Sequence, residues 1–323
     1  MSRQRVLLSL LLMFPSVACG GAGPNNDGGR EIVRTGNPYE RGLTDDDFPR
    51  VQELAENVYS YEQLRSAGDE RFATVSLFVV TSEGVLVADG QGNVDETALL
   101  LRTVGEITDQ PITHVVIGSD HGDHTGGNAV FPPSTVFLAH PTSYATMEAS
   151  ATDLNRGVGS PRVVVPTKLV DERTVLQLGA TEIHVLFLGR AHTGGDLMVY
   201  LPEEKILFMS EAYLNRIFPA MRSAYPSEWV AMIERAQAMD VDIYVPGHGF
   251  VDSPQILTEE LETFRRALLT VIAEAKRLHA TGVDVEEARE QAQFGDLEDW
   301  TIRSSQGPRA IQQVYMELNG ELP

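Results

Sequence analysis

The chain has a single cysteine, Cys19, in 323 residues. That excludes an intramolecular disulfide, and with it any thiolate metal ligand in the body of the chain. Long apolar runs are missing too: the stretch Val6–Phe14 near the N-terminus is too short to span a bilayer. Basic residues are scarce, with 25 Lys and Arg against 46 Asp and Glu and a net charge of −21. Such acidity repels phosphate backbones, and no Lys/Arg cluster offsets it, which argues against nucleic acid as a partner. What remains is ordinary for a globular protein, 42% hydrophobic and 22% charged. The length suffices for a large core in one big domain or two smaller ones.

The N-terminus reads as a targeting segment. Arg3 and Arg5 precede the apolar stretch, and Ser16-Val17-Ala18-Cys19 follows it. Small residues before a cysteine resemble the lipobox of bacterial lipoproteins, with Ser16 where leucine is commoner. Gly20 to Gly29 (GGAGPNNDGG) has the composition of a flexible tether. The expectation is a lipoprotein signal over 1–18 and a tether over 19–48. The protein would then sit in the cell envelope, lipid-anchored through Cys19 as a periplasmic or outer-membrane lipoprotein. An ordinary cleaved signal would make it secreted instead. No protein partner is predicted.

From about Asn57 the pattern is one of short strands. Thr74–Val80 is β-branched and apolar, Ser82-Glu83-Gly84 is a turn, and Val85–Ala88 is a second strand ending at Asp89. Asn93 is placed to cap a helix over Val94–Val104. Ile112–Ile117 is a buried-type strand. Further strands are expected at Thr135–Ala139, Thr174–Leu178, Ile183–Leu188, Leu197–Tyr200, Ile206–Met209 and Ile243–Val245, and helices at Thr142–Ala151 and Ser227–Met239. In the tail, Leu257, Leu261, Phe264, Leu268, Ile272, Ala275 and Leu278 form a long amphipathic stripe, and Val283–Ala292 and Ala310–Leu318 also look helical. These helices are expected to cap the sheets or roof one side of a site. Many short strands among few helices predict an α/β chain of two packed sheets covered by helices, not a doubly wound parallel sheet.

Ligand-type residues recur just past the predicted strands. His121, Asp123 and His124 lie in Ser119-Asp120-His121-Gly122-Asp123-His124-Thr125-Gly126-Gly127, after Ile112–Ile117. His192 lies in Ala191-His192-Thr193-Gly194-Gly195-Asp196, Glu211 follows Ile206–Met209, and His248 lies in Pro246-Gly247-His248-Gly249. Loops at one edge of a sheet scaffold can converge on one point. Imidazole nitrogen and carboxylate oxygen are the ligands a borderline ion such as zinc selects. His114, His140, His184 and His279 lack this context and read as structural, and alternation points Asp120 away from its neighbours' target.

Residues 119–127 resemble the H-x-H-x-D-H-x-G-G signature of metallo-β-lactamase-fold hydrolases. The resemblance runs from about Asn57 to Phe250, in the broad group that includes glyoxalase II-like thioesterases. It implies an αββα sandwich over 49–252 with additional C-terminal helices over 253–323. It also implies that His121 and His192 belong to a first metal site and Asp123, His124 and His248 to a second. Glu211 takes the place of a bridging aspartate, and Asp89 matches an acid that holds a ligand histidine in its tautomer. Two departures stand out. Ser119 occupies the position of the first histidine, and glutamate replaces aspartate at the bridge. The second site keeps every expected ligand and is therefore expected to dominate.

The chemistry so implied is that of a zinc-dependent hydrolase with one or two ions, in which metal-activated water attacks an ester, thioester or lactam carbonyl of a small-molecule substrate. Asp123 would orient or deprotonate the water, and His192 or the metal would stabilise the oxyanion. Within Tyr213–Tyr225, Phe218, Met221 and Tyr225 are candidates to line a pocket or to pack the core. Arg222 would hold a substrate carboxylate or pair with a surface acid. A degenerate, non-catalytic binding protein is the alternative. An iron-dependent oxidoreductase fits less well, because di-iron relatives carry a glutamate where His121 stands and persulfide dioxygenases rely on the histidine that Ser119 replaces.

Overall fold

The structure is a computed structural model that describes residues 32–153, 160 and 162–323. The expected signal, Cys19 and the Gly20–Gly29 stretch lie outside the described residues. Arg34–Pro323 forms one compact unit.

Its first sheet runs in spatial order β1 (Arg50–Ala55), β2 (Val58–Ala67), β3 (Glu70–Thr81), β4 (Gly84–Ala88), β5 (Ile112–Val116), β6 (Val136–Ala139) and β7 (Lys168–Leu169). The strands are antiparallel up to β4 and parallel from there on. The second sheet is ordered β12 (Ile243–Val245), β11 (Ile206–Phe208), β10 (Met198–Leu201), β9 (Thr181–Leu186) and β8 (Arg173–Leu178). The helices are α1 (Val94–Ile107), α2 (Gly122–Thr125), α3 (Pro141–Thr152), α4 (Pro226–Gln237), α5 (Pro254–Ala280), α6 (Val285–Gln291) and α7 (Arg303–Leu318).

Period-two alternation explains the layering. On β3 and β4, Leu77, Val79, Leu86 and Ala88 face the core shared with the second sheet, where they meet Val185, Val199 and Phe208. Phe78, Val85 and Val87 point the other way, onto Leu100 and Val104 of α1 and Met147 of α3. Trp229 of α4 and Phe264 of α5 cover the far side, with ring centroids 5.5 Å apart. The result is the expected αββα sandwich with further C-terminal helices. Asn93 caps α1 as its position suggests, its side chain accepting from Glu96 N–H at 2.9 Å.

Two differences from the sequence expectation have clear causes. Strands β1 and β2 extend the first sheet with residues too mixed in polarity to announce themselves. The tether expected over 19–48 does not describe its second half. Arg41 makes a bidentate pair with Asp252 at 2.7 and 3.1 Å, and Arg34 pairs with the buried Glu260 at 3.0 Å. A β-carbon on Gly36 would fall 2.4 Å from Ile217 Cδ1, so the backbone is seated against the fold there. Flexible composition persuades only as far as Gly29; from Arg34 the chain carries groups with partners waiting on the domain.

Candidate metal centre

Four strand ends deliver the ligand-type side chains to one place. β5 leads to Ser119 and to His121, which precedes the short turn of α2; that turn then presents Asp123 and His124. β9 leads to the loop of His192, where Thr193 donates from its backbone N–H and its hydroxyl to Asp196 at 2.7 and 2.8 Å. β11 leads to a single turn over Ser210–Ala212 that carries Glu211. β12 leads to Gly247 and His248. A β-carbon at Gly247 would fall 2.3 Å from the Ser210 carbonyl carbon, so glycine is what lets these two loops touch.

The structure brings all six expected ligand-type residues together, as two groups that share Glu211: Asp123, His124, Glu211 and His248 in one, His121, His192 and Glu211 in the other. Within each group the ligand atoms lie inside 4.8 Å of one another. In the four-donor group His248 Nε2 is 3.2 Å from Asp123 Oδ2 and 3.3 Å from Glu211 Oε1. In the three-donor group His121 Nδ1 is 2.9 Å from Glu211 Oε2, and His192 Nε2 is 3.1 Å from Glu211 Oε1.

Hydrogen-bond partners settle which nitrogens are bare. His248 Nδ1 lies 3.1 Å from the Ala73 carbonyl, which only accepts, so that nitrogen carries the proton. His124 Nδ1 sits 3.0 Å from Asp89 Oδ2, at ion-pair distance though not in a straight hydrogen bond, and keeps its proton for the same reason. In the neutral rings both Nε2 lone pairs then face each other at 3.2 Å. Two lone pairs and two carboxylates aimed at one point repel unless a cation or protons lie among them. This donor set of imidazole and carboxylate fits a borderline divalent cation.

Without a cation, protons take that role. Burial works to lower His121 and His248, but Glu211 beside the first, and Asp123 with Glu211 beside the second, push both up to about 9. His124 also rises against its burial, through Asp89 and Glu211. His192 falls because burial outweighs its one carboxylate neighbour. Burial would raise Glu211, yet the surrounding imidazoles hold it well below the usual carboxylate range. Asp123 is held low by His248 and His124 against both burial and Glu211.

The resemblance gave Asp89 a ligand histidine to hold without saying which; it lies behind His124. It also accepts from Gly118 N–H at 2.7 Å and from the Ser210 hydroxyl. Ser210 and the Ala73 carbonyl are supports that sequence reading missed. Ser210 could have been flagged by its position beside Glu211, whereas a backbone carbonyl leaves no trace in side-chain identity. Ser119 donates to Glu211, Oγ to Oε2 at 2.5 Å. The remaining histidines find partners elsewhere: His140 accepts from Thr142 N–H at 3.2 Å and stacks on Phe187, His184 meets Glu182 at 2.5 Å, His114 meets Thr113 at 3.0 Å and His279 meets Asn319 at 3.1 Å. Asp120 belongs to neither group. Phe218 and Met221 are core residues, fully buried. Tyr225 lies under Arg190, whose guanidinium is 3.9 Å from the ring centre.

The sequence profile of the Metallo-beta-lactamase superfamily matches residues 69–248, more than half of the chain. The chain belongs to that superfamily. Among its relatives is a metallo-beta-lactamase type 2 from Bacillus sp. (strain 170), 24% identical over 67% of this chain and 82% of the relative. The fold matches the metallo-beta-lactamase from Pontibacter korlensis with a TM-score of 0.57 at 22% identity, covering 66% of this chain and 97% of that one. It also matches the inverting sec-alkylsulfatase Pisa1 from Pseudomonas sp. with a TM-score of 0.65 at 15% identity, covering 83% of this chain and 50% of that one. Family membership and the clustered ligand-type residues together support a metal-dependent hydrolase.

Proposed function

We propose that the chain is a zinc-dependent hydrolase of a small carbonyl substrate, an ester, thioester or lactam, in which the four-donor group is the dominant metal site. The observation that carries this is the pair of bare Nε2 atoms of His124 and His248, fixed by Asp89 and Ala73 and facing Asp123 and Glu211. Bound there, zinc supplies Lewis acidity, polarising a carbonyl and acidifying water. Asp123 lines the cavity next to His248 and is the carboxylate placed to orient a water and accept its proton. His121 and His192 line the same cavity and can donate to the oxygen on which charge develops. Leu214, Ile217 and Ala220 give the cavity its apolar wall. Its volume of about 220 Å³ suits a small acyl group.

The test is turnover of a chromogenic ester, thioester and lactam by zinc-reconstituted chain, with loss on chelation and recovery on re-addition. No turnover of any of the three, with metal bound, overturns the carbonyl reading. A second reading, cleavage of an organic sulfate ester, is favoured by the alkylsulfatase likeness, which spans 83% of the chain against 66% for the lactamase fold. Sulfate release from a secondary alkyl sulfate, with the carbonyl substrates inert, would select it. The proposal includes attachment to the cell envelope through Cys19, checked by the intact mass of the mature protein in its native host.

A further inference from the structure

Most arginines of the described chain are neutralised or tied down. Arg34, Arg41, Arg50, Arg190, Arg216, Arg265 and Arg303 each face a carboxylate within 4.0 Å. Arg65, at the cavity wall, is shared between Glu96 and Asp123 at 3.7 Å each. Among the described residues, Arg102, Arg162, Arg222 and Arg309 make no hydrogen bond and no ion pair. In a chain of net charge −21 an unmatched guanidinium is uncommon, because acids are plentiful. Two of the four, Arg222 and Arg309, line the cavity that holds His121, His192, Glu211 and His248. They also line the larger cavity of about 710 Å³ that adjoins it through His121.

The two come from distant parts of the chain. Arg222 sits on the loop between Glu211 and α4, inside the stretch that matches the superfamily. Arg309 sits on α7, beyond that stretch, next to Pro308. The tail reaches this point because Thr301 bridges to Ile217 and the Phe218 N–H donates to the Thr301 carbonyl at 3.0 Å. The helical extension thus contributes to the site itself.

We infer that Arg222 and Arg309 form an anion subsite, and that the substrate carries a fixed negative group, a carboxylate or sulfonate, several bonds from the bond that is cleaved. This rests on the hydrolase reading. Guanidinium presents planar paired donors that match such oxyanions, and it stays charged at every working pH. An acidic protein also repels anions at long range, so a substrate of that charge needs local positive groups at the mouth of the site.

The experiment pairs two 4-nitrophenyl esters, the neutral butyrate and the monoester of glutarate, which keeps a free carboxylate at its far end. Zinc-loaded full-length chain is expected to favour the glutarate ester by about tenfold or more in kcat/KM. Replacing both Arg222→Gln and Arg309→Gln should bring that ratio close to unity, while Arg102→Gln, on the exposed face of α1, leaves it unchanged. A ratio near unity in the parent chain, or one that survives the double substitution, overturns the inference. Glutarate binding to metal-free chain, by calorimetry, gives a second readout in which no metal can hold the carboxylate. Binding there that weakens about tenfold in the double variant supports the subsite even if neither ester is turned over, and that pattern would count against the hydrolase reading alone. Equal or absent binding by the parent and the double variant overturns the subsite.

Discussion

The two halves of the metal centre share Glu211 and differ in how their histidines are held. In the four-donor half each imidazole has a group behind its far nitrogen: His248 hydrogen-bonds the Ala73 carbonyl at 3.1 Å, and His124 Nδ1 faces the Asp89 carboxylate at 3.0 Å, an ion-pair contact without a straight hydrogen bond. Asp89 is in turn fixed by Gly118 N–H and by Ser210. In the three-donor half His192 Nδ1 is buried with no hydrogen-bond partner among the described residues. His121 lies at the cavity wall, partly exposed. Its neighbour Ser119 spends its hydroxyl on Glu211 and adds no imidazole. A ligand whose tautomer is set in advance pays less ordering on binding, and outer partners of this kind typically change metal affinity by about 10–100-fold. Ligand count and ligand bracing fall together here.

The largest expected effect comes from cutting the braced half. His248→Ala should weaken zinc binding by more than roughly 100-fold, above the range for losing an outer partner alone. His121→Ala should cost far less in the first equivalent of zinc. Competition with a colorimetric chelator reads both, and equal losses would erase the asymmetry. Next in size is Asp89→Asn, which leaves the ligands in place but removes the charge behind His124; a fall of about 10–100-fold in zinc affinity is expected. An unchanged affinity would mean that bracing contributes nothing. Ser119→Ala removes one hydrogen bond to a carboxylate, worth about 1.5–3 kcal/mol when buried. It should lower the melting temperature of the metal-free chain and shift the first equivalent of zinc by less than about tenfold.

The smallest effect sharpens the contrast from outside the centre. Glu62 is a buried carboxylate with no imidazoles around it, 3.3 Å from Arg50 and accepting from Val251 N–H at 2.7 Å. Burial pushes it up to about 7, whereas Glu211, buried among histidines, is held low. The folded chain therefore keeps the Glu62 proton that the unfolded chain releases near its ordinary value of 4.5. Its contribution is most favourable below that value and is lost as pH rises toward 7. Glu62→Gln should flatten that part of the stability profile, measured by urea denaturation. A profile unchanged by the substitution would show that Glu62 does not titrate in this window.

Much of this was legible in sequence. Strands β3 to β6 and β8 to β12 follow from β-branched and apolar runs, and each ligand-type residue sits where such a run ends. Asp89 was visible as the end of such a run, and its role only through the family resemblance. What escaped is non-local. Ala73 acts through its carbonyl, and Ser210 through a left-handed backbone (φ 48°) that turns it onto Asp89. Arg309 reaches the cavity from a helix that begins more than fifty residues after His248. No local pattern encodes such meetings, because they depend on how the tail returns to the sandwich. The docking of residues 34–48 escaped likewise, since Arg41 finds Asp252 only after folding.

Counting zinc per chain by elemental mass spectrometry, on full-length protein reconstituted with zinc and then gel-filtered, tests the central claim most directly. The asymmetry of the two halves predicts about one tightly held ion per chain, lost in His248→Ala and kept in His121→Ala. Two ions held equally well, or none in the parent chain, would contradict it.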